Sequence, residues 1–203
     1  MTKIIVFGNS IGEGYWDLEG GWVDRLRKNY HKKSIKENND LTVYNQSISG
    51  ASTKDILDRF EFEIKPRIRG DKIIIILATG VNDSQWLNDE NKWRVSQEEF
   101  KDQLQKLIDL SKKYSNKIIF LGLTKTKDGD PIPGTEEKSY KNERVEIFDK
   151  ILKEKSQENN INFIDTSNLI ENNDLKDYVH PNTEGHKKIF NKVKNFLEEN
   201  KLL

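Results

Sequence analysis

The fold class of this chain of 203 residues is decided by one stretch, Lys72-Ile73-Ile74-Ile75-Ile76-Leu77-Ala78. Its apolar residues are continuous rather than alternating with polar ones, which predicts a strand that is covered on both faces. Strands of this kind are typical of parallel sheets, because the connecting helices pack on both sides of the sheet. The stretch therefore predicts the centre of an α/β fold.

Apolar runs and helical patterns alternate along the rest of the chain. Further strands are predicted at residues 4–8, 41–45, 117–123 and 161–164. Helices are predicted at residues 21–35, 52–64, 96–113, 136–158 and 183–199, and residues 136–158 form one or two of them. This alternation predicts a three-layer α/β/α sandwich. The longest loops are expected at residues 86–95 and 125–135, which follow strand ends, where open α/β sheets bind ligands.

The composition excludes several classes of protein. Lys and Arg together number 34, as do Asp and Glu, and this zero net charge argues against nucleic-acid binding and a membrane-surface role. Because the chain has no Cys, disulfides, thiol catalysis and thiolate metal sites are excluded. No apolar run approaches the length of about 18 residues that spans a membrane, and no signal segment is visible. We therefore expect a soluble cytoplasmic protein without stable membrane insertion.

Four short segments carry the residues with candidate chemistry. They are Gly8-Asn9-Ser10, Asn45-Gln46-Ser47-Ile48-Ser49-Gly50, Gly80-Val81-Asn82-Asp83 and Asp177-Tyr178-Val179-His180-Pro181. Each lies just after a predicted strand or just before a predicted helix. Together they supply a serine hydroxyl, an imidazole, a carboxylate and hydrogen-bond donors, which are the groups needed for acyl transfer through a serine.

The serine segment on its own has other interpretations. Ser10 is followed by Gly12 and Gly14, and on this segment alone it could simply cap the next helix. The glycine spacing also looks like the dinucleotide-binding turn of short-chain dehydrogenases. That family also uses a Tyr-x-x-x-Lys pair, and the nearest match here is Tyr140 with Arg144. A dehydrogenase is therefore disfavoured.

Taken together, the four segments resemble the blocks of the SGNH hydrolases, also called the GDSL esterase/lipase family. The family's blocks are Gly-Asp-Ser, a glycine in the second segment, Gly-x-Asn-Asp and Asp-x-x-His-Pro. The segments that match these blocks, with Gly8-Asn9-Ser10 in place of Gly-Asp-Ser, occur in the family's order and span nearly the whole chain. The resemblance implies a single domain over residues 1–203, with a flavodoxin-like, five-stranded parallel sheet of strand order 2-1-3-4-5.

The resemblance also implies a role for each site residue. Ser10 would be the nucleophile, His180 the general base, and Asp177 the acid that orients the histidine. The oxyanion hole would consist of the Ser10 amide, the Gly50 amide and the Asn82 side chain. The implied activity is that of a metal-independent hydrolase without a cofactor, which cleaves an acyl ester through an acyl-Ser10 intermediate. The expected partner is a small-molecule acyl ester. The candidates are a small soluble ester, a lysophospholipid, a thioester and an acetylated sugar.

The physical chemistry of these residues agrees with the implied roles. A serine hydroxyl is a weak nucleophile until a base removes its proton, and an imidazole titrates near neutral pH. A carboxylate three residues before His180 can reach the imidazole across one turn and select its tautomer. Gly50 has no side chain to keep an oxyanion from its amide, and the Asn82 amide can donate one further hydrogen bond.

The chain departs from the family pattern at Asn9, where the family usually has Asp. This difference puts the local hydrogen bonds and the pH profile in question, and it is the one feature that favours a non-catalytic binding module. An acyltransferase, which would use the same residues, is a third possibility.

Several other residues near the four segments have expected structural roles. His186 is expected to be a surface or packing histidine, Asp165 a local cap, and Asp83 a brace for the Asn82 turn. About half of the loop aromatics are expected to line a substrate pocket; they are Trp16, Trp86, Trp93 and Tyr178.

Overall fold

The computed structural model describes residues 1–38, 40–69, 72–129 and 132–203. The strands of these residues are β1 (Thr2–Gly8), β2 (Leu41–Ser47), β3 (Lys72–Ala78), β4 (Trp86–Leu87), β5 (Lys92–Trp93), β6 (Lys117–Leu121), β7 (Lys138–Ser139) and β8 (Asn162–Ile164). Their α-helices are α1 (Ser10–Glu13), α2 (Gly21–Glu37), α3 (Thr53–Ile64), α4 (Gln97–Lys112), α5 (Asn142–Glu158) and α6 (Thr183–Glu199). None of the helices in these ranges is long and apolar enough to cross a membrane.

The central sheet has five parallel strands in the order β2-β1-β3-β6-β8. Counted along the chain, this is the predicted order 2-1-3-4-5. Strand β1 lies between β2 and β3, so that Ile4 is opposite both Val43 and Ile74. Parallel pairing brings the carboxyl ends of all five strands to one edge of the sheet, where ligand sites form in such folds.

The apolar run in β3 supplies both cores of the molecule. Successive side chains of a strand point to opposite faces. Ile73, Ile75 and Leu77 pack with α3, α4 and α5, whereas Ile74 and Ile76 pack with α2 and α6. The continuous run is therefore the sequence signature of a sheet that is covered on both sides, as predicted.

Reciprocal hydrogen bonds mark the starts of two of the helices. Ser52 and Asp55 form a reciprocal capping box at the start of α3, and Ser96 and Glu99 form one at the start of α4. In each case the serine hydroxyl accepts a hydrogen bond from an amide of the first turn that has no acceptor within the helix.

The structure corrects two of the predicted boundaries. Residues 86–95 are more than a loop, because β4 pairs with both β5 and β7 in a small antiparallel sheet. The stretch 136–158 contains one helix, α5, which begins only at Asn142 because β7 precedes it. The edge-to-face contact of Trp86 with Trp93 holds the β4–β5 hairpin, an interaction that helical and strand periodicity do not report. Residues 130 and 131 of the other predicted loop lie outside the described residues.

The substitution Ile76→Ala tests the importance of the buried central strand. Ile76 is fully buried in β3, so this variant should lose about 2–5 kcal/mol of unfolding free energy through lost transfer energy and a residual cavity. Urea denaturation measures the change. Ile35→Ala on α2 is the control, because the Ile35 side chain is 73% exposed, and we expect it to change stability by no more than about 0.5 kcal/mol.

Candidate active site

Ser10 lies at the point where β1 ends and α1 begins. The Asn9 side chain caps this short helix, since its Oδ1 accepts a hydrogen bond from the Ile11 amide at 3.0 Å. The oxygen that makes this bond is one that Asp would also provide, so the turn keeps its cap with Asn in place of the family's usual Asp. As the first residue of α1, Ser10 has an amide without an acceptor inside the helix.

The side chains of Ser10, His180 and Asp177 form a hydrogen-bonded line. The Ser10 Oγ lies 2.9 Å from His180 Nε2, although the two residues are 170 positions apart. On the other side of the ring, His180 Nδ1 lies 2.8 Å from Asp177 Oδ2. With the serine proton directed at Nε2 and the Nδ1 proton directed at the carboxylate, the arrangement can remove the serine proton during an attack.

The Asp177 carboxylate is also held by its own turn. Its Oδ1 accepts hydrogen bonds from the amides of Val179 at 2.9 Å and His180 at 2.8 Å. Burial by itself raises the pKa of the Asp177 carboxyl, but these two amides and the His180 ring outweigh burial and bring it below its ordinary value. The group is therefore ionised at neutral pH and can stabilise a protonated His180.

Hydrogen-bond donors from two other segments face the same cavity. Gly50 has a φ of 77°, a left-handed conformation that favours glycine. The Asn82 Nδ2 donates to the Ala51 carbonyl at 3.0 Å, and its Oδ1 accepts from Gln85 Nε2 and the Tyr140 hydroxyl, each at 3.0 Å. These bonds fix the amide plane of Asn82. They use one of its two N–H groups, so the other can donate to a ligand.

A cavity of about 800 Å³ joins these groups. It is lined by Ser10, Tyr15, Trp16, Ser49, Gly50, Asn82, Thr135, Glu136, Glu137, Lys138, Tyr140, Asp177, Tyr178 and His180. The structure therefore brings all five sequence-predicted site residues into one cleft. Of the four loop aromatics, Trp16 and Tyr178 line this cleft, whereas Trp86 and Trp93 line a separate one. Over the residues that the structure describes, no group of three His, Asp or Glu side chains could hold a metal ion.

The sequence matches the model of the GDSL-like lipase/acylhydrolase family over residues 6–188. The chain belongs to this family. Membership supports an esterase or acylhydrolase function for the protein. A search of the curated proteins returned no match.

Several solved structures share the fold of this chain. A member of the lipolytic G-D-S-L family from Veillonella parvula is 21% identical, with a TM-score of 0.74, and the match covers 98% of this chain and 99% of that one. The lipase/acylhydrolase from Enterococcus faecalis is 21% identical, with a TM-score of 0.73 and coverage of 98% and 97%. An acetylxylan esterase from Geobacillus stearothermophilus is 22% identical, with a TM-score of 0.71 and coverage of 97% and 93%.

Some residues of this GDSL hydrolase that touch the site were not found from the sequence. Tyr15 lies with its ring centroid 4.9 Å from that of His180, and the buried Tyr140 hydroxyl donates to Asn82. Burial raises the pKa of Tyr140 to about 12, so its hydroxyl stays protonated. Arg94 donates to the Gly50 carbonyl at 3.1 Å. These contacts join separate loops, so no local sequence pattern reports them.

The neighbouring polar residues have structural roles in the hydrolase. His186 is fully buried, and its Nε2 donates to the Tyr15 carbonyl at 3.1 Å, which makes it a packing residue. Asp165 accepts from the Ser167 amide and hydroxyl, as expected for a local cap. Asp83 braces the Asn82 turn by joining it to α3, because its carboxylate accepts a hydrogen bond from the Thr53 amide at 3.0 Å.

Asp83 makes the stability of the hydrolase depend on pH. Its side chain is fully buried, and burial raises the pKa of the carboxyl to about 6 despite the bonds from Thr53. Because the folded state then binds this proton more tightly than the unfolded state, the contribution of Asp83 to the unfolding free energy is fully present below the unfolded pKa and is lost as pH rises from about 4 to about 6. Asp83→Asn removes this titration. Relative to Asp83→Asn, wild type should therefore lose about 3 kcal/mol of unfolding free energy as pH rises from about 4 to about 6.

Urea denaturation of both proteins at a series of pH values measures this difference. Ile35→Ala is the control, because it replaces an exposed side chain that does not ionise, and its difference from wild type should not change with pH. A constant difference between wild type and Asp83→Asn would contradict the prediction.

Proposed function

We propose that this protein is a metal-independent serine esterase that forms an acyl-Ser10 intermediate. The observation that carries the proposal is the line from Ser10 Oγ through His180 to Asp177, which opens into the cavity that also contains the Gly50 and Asn82 donors. A nucleophile, a base with its orienting acid, and donors for an oxyanion are thus supplied by protein groups at one site.

In the proposed reaction the Ser10 Oγ attacks the ester carbonyl carbon, and its proton passes to His180 Nε2. The bond from the tetrahedral carbon to the alcohol oxygen then breaks, and His180 gives this proton to the leaving alcohol. Water attacks the acyl-Ser10 carbonyl and transfers a proton to His180. Ser10 regains that proton as the carboxylic acid leaves. Throughout, Asp177 stays ionised and stabilises the imidazolium.

The proposed oxyanion hole consists of the Ser10 amide, the Gly50 amide and the free N–H of Asn82. The Ser10 and Gly50 amides have no acceptor within the described residues, so neither must break a protein hydrogen bond to receive the oxyanion. Such donors act mainly on the transition state, and the loss of one typically costs about 2.7–4 kcal/mol of stabilisation. The bonds from Gln85 and Tyr140 to the Asn82 oxygen hold the third donor in place.

The dimensions of the site favour a short acyl group on a polar alcohol. A long alkyl chain needs a matching apolar channel. The apolar cavity beside the site, between Ile11, Val81 and Leu123, has about 30 Å³, which is room for one or two water molecules. The large cavity is instead mixed, with the Tyr15, Trp16 and Tyr178 rings beside charged side chains such as Glu136 and Lys138.

A mixed lining of this kind suits an acetylated sugar, which presents hydroxyl groups and apolar ring faces together. The acetylxylan esterase from Geobacillus stearothermophilus, which shares the fold, acts on such an ester by its name. We therefore favour an acetylated sugar over a lysophospholipid or a long-chain thioester. The cap that Asn9 provides removes the main sequence argument for a non-catalytic binding module.

Covalent labelling with a fluorophosphonate probe tests the nucleophile without a known substrate. Mass spectrometry of the peptides should place the label on Ser10, and Ser10→Ala should not be labelled. His180→Ala should react about 10²–10⁴-fold more slowly, because it lacks the base. His31→Ala, which removes an exposed histidine on α2, is the matched control. A folded wild-type protein that takes no label, or a rate that a metal chelator abolishes, would contradict the proposal.

The substrate range is tested with a series of para-nitrophenyl esters. We expect kcat/KM to be highest for the acetate or butyrate and to fall by about tenfold or more for the decanoate, the equivalent of about 1.4 kcal/mol. Acetylated xylose and a lysophospholipid are compared in parallel by the rate at which each releases free carboxylic acid. Preference for the decanoate or the lysophospholipid would contradict the proposed substrate class while leaving the nucleophile assignment intact.

A further inference from the structure

Trp16 has a backbone conformation that its side chain does not favour. It lies in the 14–20 loop, the segment that connects α1 to α2, and its φ is 66°. Residues with bulky side chains rarely occupy this left-handed region, and they persist there only where surrounding contacts hold them. A Trp in this conformation thus indicates that the loop is held by its surroundings and serves something beyond a simple connection.

The contacts that hold the 14–20 loop lie on either side of Trp16. The Asp17 carboxylate accepts from the Gly21 amide at 3.1 Å, from Arg25 at 3.0 Å and from the Thr183 hydroxyl at 3.0 Å. On the other side, the Tyr15 carbonyl accepts from the buried His186 ring at 3.1 Å. The loop is therefore tied to both α2 and α6, and the residues between these ties have little freedom.

The loop presents two aromatic rings to the His180–Asp177 pair. The Trp16 indole Nε1 donates to Asp177 Oδ2 at 2.9 Å, the same oxygen that His180 Nδ1 contacts at 2.8 Å. The Tyr15 ring lies against the His180 ring, with 4.9 Å between their centroids. With the amides of Val179 and His180 on its other oxygen, the Asp177 carboxylate has two donors on each oxygen.

We propose that Trp16 is a positioning residue for the esterase reaction, which holds the Asp177 carboxylate in the plane that orients the His180 base. The assignment rests on the proposed function, because it gives Trp16 a role only if His180 acts on Ser10. The other three donors to Asp177 are the Val179 amide, the His180 amide and the His180 ring, all within three residues of Asp177 in the same turn. Trp16 is the donor that ties the carboxylate to the opposite wall of the cleft, and it also withdraws charge from the oxygen that faces the imidazole.

The test compares Trp16→Phe with wild type by the rate of fluorophosphonate labelling at Ser10 over a range of pH. Phe keeps an aromatic ring at this position but lacks the indole N–H. We expect labelling to slow by about tenfold, close to the value of one hydrogen bond to a charged group. The acid limb of the pH profile should also move to higher pH, because an Asp177 with one donor fewer stabilises the imidazolium more strongly.

The shift of the acid limb distinguishes positioning from a purely structural role. Other titratable groups face this pair or the same cleft, and all of them remain in the variant; they are Tyr15, Glu136, Glu137, Lys138, Tyr140, Tyr178 and His186. Trp86→Phe is the matched control, since it removes an indole N–H outside the cleft that contains Ser10, and it should label as wild type does.

A second variant, Trp16→Gly, keeps the proposal testable if Phe disturbs the fold. Gly adopts the observed φ without strain, so this variant should unfold no more easily than Trp16→Phe while it labels equally slowly. The proposal is overturned if both variants label at the wild-type rate with an unshifted acid limb. It is also overturned if the loss of labelling merely follows the fraction of unfolded protein. A wild-type protein that takes no label would instead refute the proposed function itself.

Discussion

Parallel pairing of β1 with β2 on one side and β3 on the other is the constraint on which the rest of the structure depends. Parallel strands have their carboxyl ends at the same edge of the sheet. The segments that follow β1, β2 and β3 therefore begin next to one another. Ser10, Gly50 and Asn82 each follow one of these strand ends within five residues or fewer. Three distant parts of the sequence thereby reach one cleft without any long loop.

Polar side chains then hold the turns that carry the site. Asp83 ties the turn after β3 to the start of α3, and Asn82 is fixed by bonds at both ends of its amide. Asn9 caps α1, and Asp177 accepts from its own turn. Because unsatisfied polar groups are costly when buried, these hydrogen bonds favour the observed arrangement of each turn. The site is therefore preorganised, which is what stabilisation of a developing oxyanion requires.

Two connections between the main elements shape the cleft of this hydrolase. The small sheet of β4, β5 and β7 carries the residues around Lys138 that line one wall, and the 14–20 loop carries Tyr15 and Trp16 on another. Both are connections between the main elements, where insertions and changes of sequence are tolerated best. The sheet supplies the geometry of the reacting groups, and these connections shape the space for the substrate.

The sequence by itself determined the doubly covered strands from local patterns and, through the resemblance of its four segments to the GDSL family, the strand order and the five residues gathered in the cleft. The run from Ile73 to Leu77 predicts a doubly covered strand, and each of the four segments is recognised within a few residues. Only the tertiary structure decided the partners of those residues. The bonds from Trp16 to Asp177 and from Tyr140 to Asn82 join positions far apart in the chain, as does the pairing of β4 with β7. Such contacts depend on how loops pack once the sheet has formed, and no periodicity in the sequence encodes them.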